Sequence, residues 1–283
     1  MSFLDRIAEC NNADLTRFRP FLIGAEQAGW VHTEFLPVLR RFPGVFLVGD
    51  KAVSLAPALD AADKRSKAVD AALRQLAAEG HVRGWREEIY PVRPIAGGPV
   101  LMAMERAAVP HLGVRAHGVH LNGFVRRADG IHMWIARRAQ DKPTYPGMLD
   151  NMVAGGQPLG LGYRENLIKE CAEEAAVPRA LAERAVAVGA ISYAYVDLDE
   201  GGLRPDIQVC FDLELPPDFT PSNADGEIAE FMLWPIQEVA RIVSDTRQFK
   251  FNCNLCIIDF LVRHGLIEPE HPDYQAICRG LRR

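Results

Sequence analysis

A chain of 283 residues that is 48% hydrophobic, 24% charged and 8% aromatic has the makeup of a folded globular protein, long enough for one large domain or two ordinary ones. Its formal net charge of −5 argues against nucleic acid as a partner, since that grip needs a basic face, but leaves room for a local basic pocket. No apolar run approaches the roughly 20 residues that span a bilayer. The opening MSFLDRIAECNNADL has acids and amides where a secretion signal has a basic end and an apolar block. The expectation is a cytoplasmic protein with no membrane partner, its six cysteines mostly reduced thiols.

In chain order, GVFLVG reads as a strand, and SKAVDAALRQLAAEG has apolar residues at helical spacing and a glycine stop. EEIYPVR reads as a second strand, and RPIAGGPVLM as the start of a connection. The pattern changes near residue 110, which divides the chain into an N-terminal α/β domain (1–110) and a strand-rich domain (111–283). GVHLNGFVRR and GIHMWIARRA form a hairpin about ADG, and a loop, QDKPTYPGMLDN, leads to a glycine turn and a helix. AVAVGAISYAYVD, IQVCFDLEL and EFMLWP are further strands, PIQEVARIVSD starts a helix, and the last amphipathic helix runs from Asn252 to His264. This order predicts an α+β fold, a mixed sheet sandwiched between helices.

Two metal-like spacings carry little weight. Cys253 and Cys256 form a lone C-x-x-C with no second pair at zinc-finger spacing, so they read as two buried small residues. His117 and His120, if on a strand, point to opposite faces and cannot share an ion.

The stretch AGGQPLGLGYRENLIKECAEEAAVP (Ala154 to Pro178) is different. At about 100° per residue, Glu170, Glu173 and Glu174 fall within an arc of about 100°. Leu167, Ile168, Cys171, Ala172 and Ala175 form the opposite, apolar side. Three carboxylates this close repel unless a cation sits among them. Lys169, spaced to pair with Glu165 and Glu173, cannot neutralise all three. A hard divalent ion can, and it keeps water ligands for a phosphate partner. The glycines upstream let backbone come close to that ion or to a diphosphate.

The stretch resembles the Nudix box, G-x5-E-x7-R-E-U-x-E-E-x-G-U, with Gly155 as the opening glycine and Glu170, Glu173 and Glu174 as the metal-holding glutamates. It departs from the pattern at Leu161 (first glutamate), Lys169 (arginine) and Ala176 (late glycine); Glu165, one turn before Lys169, is the candidate replacement for the lost acid. FLDRIAECNNADLTRFRPFLIG, MERAAVPHLGVRAHGVHLNGFVR, KPTYPGMLDNMVAGG and DGEIAEFMLWPIQEV extend the resemblance to Nudix proteins related to thiamine pyrophosphokinase, with an extra N-terminal domain. The resemblance implies a Nudix-type sheet and Mg²⁺- or Mn²⁺-dependent hydrolysis of a small-molecule diphosphate, foremost thiamine diphosphate or its oxidised derivatives. It also implies the Gly155 carbonyl as a further metal ligand, and it is compatible with a homodimer.

Roles follow from that chemistry. Glu173, Glu174 or an acid from a later loop accepts the proton of the attacking water, with Glu230 the first loop candidate and Glu227 the second. Lys142 and one of Arg137 and Arg138 are candidates for phosphate, and Tyr145 for stacking on a flat ring. Trp134, Tyr193 and Trp234 read as core. Rival readings are a nucleotide or nucleotide-sugar pyrophosphatase, a non-catalytic Nudix binding module, and an isopentenyl-diphosphate isomerase. The isomerase needs a protonating Cys–Glu pair, and no cysteine lies in the strand-rich region upstream of the box.

Overall fold

The computed structural model describes residues 1–95, 97–142, 144–197, 202–223 and 226–282. After helix α1 (Phe3–Glu9), strands β1 (Phe18–Ile23) and β2 (Glu26–His32) form an antiparallel hairpin. Beyond the short helix α2 (Leu36–Leu39), β3 (Phe46–Val48) and β4 (Val53–Leu55) complete a sheet of order β2-β1-β4-β3. Helix α3 (Ala62–Ala78) buries Val69, Leu73 and Leu76, the stripe its spacing predicts, and stops before Gly80, whose φ of +82° suits a residue without Cβ. β5 (Ile89–Val92) and β6 (Met102–Glu105) pair antiparallel, so RPIAGGPVLM is their connection and its last residue already belongs to a strand. These elements share one apolar core, built on Phe21, Phe46, Leu73 and Met102.

Helix α4 (Val109–Leu112) leads into the second sheet. β7 (His117–Arg127) and β8 (Gly130–Arg138) are the expected hairpin. β9 (Leu149–Asn151) pairs with β8, and β10 (Val153–Gly156) pairs with β7. Helices α5 (Tyr163–Ala175) and α6 (Arg179–Ala182) follow, then β11 (Val186–Ser192), β12 (Tyr195–Asp197), β13 (Gly202–Arg204), β14 (Ile207–Glu214) and β15 (Ile228–Pro235). The main path is β11-β14-β7-β8-β15, with β14 parallel to β7 and the other neighbours antiparallel. Helices α7 (Ile236–Asp245), α8 (Phe251–Arg263) and α9 (Tyr274–Gly280) close the chain.

Strand alternation sends side chains to two different cores. Val119, Leu121, Trp134 and Phe211 meet Leu167, Ile168 and Cys171 of α5. Phe124, Met133, Ile135 and Cys210 meet α7 and α8 on the opposite face. The fold is thus the mixed sheet between helices that the sequence predicts, preceded by a smaller α/β layer. Two details differ. Helix α8 is buried along Asn252–Leu261 rather than amphipathic, because α1 and α7 pack against it in addition to the sheet. Through α1, Ile7 and Cys10 join the core of α8, although their sequence neighbours build the first sheet. Among the described residues, no helix is long and apolar enough to cross a membrane.

Candidate active site

β10 and α5 place the glycine turn against the carboxylate stripe. Gly155 runs so near α5 that a Cβ there would lie 2.3 Å from Cδ of Glu170. Asn166 fixes the turn by donating Nδ2–H to the Gly156 carbonyl at 2.9 Å. Glu174 is buried, and its Oε2 accepts the Ala154 N–H at 2.9 Å. Burial, together with the charges of Asp150, Glu170 and Glu227, pushes its carboxyl well above the usual range. Burial likewise raises Glu170, with Lys169 opposing. Lys169 reaches Glu173 at 2.6 Å and Glu170 at 3.4 Å, and Glu173 stays about half exposed.

The stripe is less cleanly separated than the helical wheel implies. Glu174 sits on the buried side with Cys171 and Ala175, whereas Ala172 faces solvent. Glu165 does not replace the missing first acid, because Arg179 holds it at 3.1 Å. Leu161 is exposed, and its carbonyl accepts the Gln157 side-chain amide at 2.7 Å. Ala176 ends α5 in the left-handed region (φ +52°, ψ +33°), where a glycine carries no Cβ penalty.

A cleft of about 1080 Å³ opens along this stripe, walled on its far side by the N-terminal segment. Gly155, Glu170, Glu173, Glu174, Lys142 and Tyr145 all line it. Arg137 and Glu230 do not. They pair with each other at 2.6 Å on the outer part of β8 and β15. Strand alternation turns Arg138 inward instead, where it holds Asp150 at 3.0 Å and the Thr144 carbonyl at 2.7 Å. The loop acid in the cleft is Glu227, ion-paired with Lys142. Glu230 and Arg137 therefore give way to Glu227 and Arg138 as the cleft residues of their segments.

Three cleft features had no signal in the box. Arg86 and Arg106 enter from the N-terminal segment; Arg106 is held by Glu88 at 2.7 Å, while Arg86 has no carboxylate partner among the described residues. Their mutual repulsion, after burial, lowers the Arg86 guanidinium. Phe251, at the start of α8, stacks on Tyr195 (4.4 Å between centroids) and touches Tyr145 and Tyr193, giving the cleft an aromatic wall. Their separation in sequence, with Arg86 some 70 residues before the box (about 4–5 typical helices and strands), hides them from any local pattern. Trp134 is core, as the sequence predicts; Tyr193 is buried but also lines the cleft.

At the cleft floor, His120, which lines the cleft, and Asp150 and Cys253 bring their ligand-type atoms within 4.8 Å of one another. The Cys253 thiol donates to Asp150 Oδ1 at 2.7 Å, His120 Nδ1 meets Asn151 Oδ1 at 2.8 Å, and Arg138 and Lys250 stand at 3.0 and 3.7 Å from Asp150 Oδ2. Two cations already attend that carboxylate, so the donor set suits a cation far less than the α5 glutamates do. Burial holds His120 down at about 4, neutral at physiological pH.

Comparison with known proteins adds the following. A family model described as "Domain of unknown function (DUF4743)" matches residues 2–116. The chain is 43% identical over 291 aligned residues to Nudix hydrolase 20, chloroplastic, of Arabidopsis thaliana, covering 99% of this chain and 77% of that protein. It is also 43% identical to Nudix hydrolase 24, chloroplastic, of the same plant, with the same coverage, 99% and 77%. Among solved structures, the Nudix domain of Shewanella oneidensis NrtR complexed with ADP ribose aligns at 14% identity and TM-score 0.42, over 53% of this chain and 89% of that one. The MutT protein of Methanosarcina mazei aligns at 15% identity and TM-score 0.38, over 53% and 95%.

Proposed function

The chain belongs to the Nudix hydrolases, and from that premise we propose that it hydrolyses the diphosphate bond of a small organic diphosphate, with Mg²⁺ or Mn²⁺ held by Glu170, Glu173, Glu174 and the Gly155 carbonyl. The observation that carries this reading is the crowding of three glutamates at one helix edge, two of them sharing the single Lys169 ammonium and the third, Glu174, buried among other acids. Such a donor set suits a hard divalent ion, because the acids repel unless a cation joins them, and Gly155 leaves no room for a side chain between backbone and Glu170. A bound ion would neutralise phosphate oxygens and acidify a water molecule.

The chain's own groups do the rest. The Ala154 N–H holds one oxygen of Glu174, which fixes this buried cleft carboxyl where it can take a proton from the attacking water. Glu227 is the second candidate base, in place of Glu230. Lys169, Arg86 and Arg106 bring positive charge to the cleft for the phosphates; Lys142 can join them once it leaves Glu227. Closure by the N-terminal wall excludes water from the organic group. In this reading residues 1–110 shape the pocket and residues 111–283 hold the chemistry, with α1 serving the second part.

We place thiamine diphosphate and its oxidised derivatives first among substrates. The sequence resemblance supports that class, and the aromatic wall at Phe251 offers a flat heterocycle a stacking surface. A nucleotide or nucleotide-sugar pyrophosphatase is the alternative that the same wall allows. A non-catalytic binding module is disfavoured, since a scaffold gains nothing from three crowded acids. The test is a panel of thiamine, nucleoside and nucleotide-sugar diphosphates, assayed with Mg²⁺ or Mn²⁺ for phosphate release. Hydrolysis of none of them, by a folded protein with either metal, would end the proposal.

A further inference from the structure

Glu105 is fully buried at the end of β6, and its partners are backbone amides. Its Oε1 accepts the Arg86 and Ala107 N–H groups at 3.1 and 3.2 Å, and its Oε2 accepts the Glu88 N–H at 3.1 Å. One carboxylate thus gathers the stretch before β5 and the turn after β6. A buried charge is costly unless it is bonded in this way, so acid and amides hold one another in a single arrangement.

The same stretch is braced on both sides. Glu87, between the two bonded residues, has φ +59°, a left-handed backbone that persists only where its surroundings fix it. Arg74 of α3 grips the Glu87 carboxylate through two nitrogens, each at 2.8 Å, and the Trp85 indole N–H adds a bond at 3.0 Å. On the inner side β5 rests on the glycine turn. The Leu159 N–H donates to the Ile89 carbonyl at 3.3 Å, and a Cβ on Gly156 would collide with the Tyr90 hydroxyl.

This frame presents two guanidinium groups to the cleft. Arg106 is committed to Glu88 at 2.7 Å and lies over the Tyr90 ring. Arg86 lines the cleft, is exposed and has no carboxylate partner among the described residues. Glu227, whose charge acts on Arg86, also acts on Glu170 and Glu174. Arg86 therefore stands toward the edge that carries the α5 glutamates, with its donors uncommitted.

Resting on the hydrolase reading above, we propose that Arg86 binds the diphosphate directly, its planar fork on two phosphate oxygens, and that Glu105 is the positioning residue that aims it. The N-terminal segment then contributes a substrate-binding group of its own, held in register with the glycine turn by Tyr90 and Ile89.

The probes are inorganic pyrophosphate and α,β-methylene-ADP, whose bridging carbon resists hydrolysis; calorimetry with Mg²⁺ gives their affinities. R86A should bind the tighter probe roughly 10-fold or more weakly than wild type, the scale of one hydrogen bond to a charged group. E105Q keeps one acceptor oxygen but sets an NH₂ group against an amide donor, so Arg86 loses its aim and binding should weaken about 3-fold or more. In the R86A background the same change should weaken binding no further, because both residues act through one contact. A purely architectural Glu105 would cost the same in both backgrounds, and that result overturns its positioning role. E105D, still charged but one methylene short, replaces E105Q if that variant does not melt like wild type. R86A that binds both probes as wild type does overturns the proposal, and so does a wild type that binds neither. Probe binding that depends on Arg86, in a protein that hydrolyses no diphosphate, would keep this contact and remove the hydrolase reading; hydrolysis with probe affinity and KM unchanged in R86A would do the reverse.

Discussion

Gly155 and Glu170 are in such close approach that one added methyl carbon at the glycine would fall 2.3 Å from the glutamate's carboxyl carbon. A methyl group there must push the carboxylate off its line or move β10. Gly155→Ala is expected to lower turnover by about 10-fold or more, since displacements near 1 Å at a reacting centre cost rate on that scale. Steady-state assays with Mg²⁺ at saturating substrate, alongside thermal melts, test it; wild-type turnover in the variant would show that Glu170 has no need of this position.

The three acids near the cleft mouth separate by role. Glu174→Gln keeps shape and removes charge, so turnover should fall by about 10²-fold or more. Glu227→Gln should reduce it less, because Lys142 already holds that acid. Glu230→Gln should change turnover by less than about 3-fold, since its partner is Arg137 outside the cleft, and an exposed pair of this kind contributes at most about 1 kcal/mol. A reversed ranking of Glu227 and Glu230 in kcat would refute the placement drawn from the lining.

Ala176 bears on stability alone. Its left-handed backbone costs an L-residue with Cβ roughly 1–2 kcal/mol more than glycine. Ala176→Gly should therefore stabilise the fold by about 1 kcal/mol, read as a higher urea midpoint at unchanged slope. A lower midpoint would mean that the freedom glycine gains in the unfolded chain outweighs the relief.

Three histidines set an acid limit. Burial holds His111, His117 and His120 each down at about 4, against 6.5 for a free imidazole. The unfolded chain therefore binds more protons than the native one between these values. Stability present above pH 6.5 should fall as pH drops toward 4, by on the order of 3 kcal/mol for each histidine that must stay neutral. Denaturant titrations at pH 7.5, 6 and 5 check the slope. His117→Gln should flatten it, and a curve unchanged by that substitution would mean that His117 titrates normally.

The box was legible because its chemistry is local: a turn, a helix and three carboxylates within 20 residues declare themselves through spacing alone. The hairpin at ADG and the stripe of α3 were legible for the same reason. Arg86 and Phe251 were not, because what unites them is the register of strands far apart in sequence. Between Glu227 and Glu230, or Arg137 and Arg138, a period of two permits one of each pair, and nothing in the letters says which side is wet. The burial of α8 was hidden too, since its covering helix comes from the opposite extremity of the chain.

That covering helix has a practical consequence. Residues 3–10 interlock with α8 and α9, and Ser192 bridges to Arg282 beside them. Cutting the protein at residue 111 would strip the greasy flank of α8 bare and invite clumping, whatever the upstream layer does for the pocket. An excision that spares the first dozen residues and splices them to the strand-rich part is the deletion that can report on the upstream layer by itself.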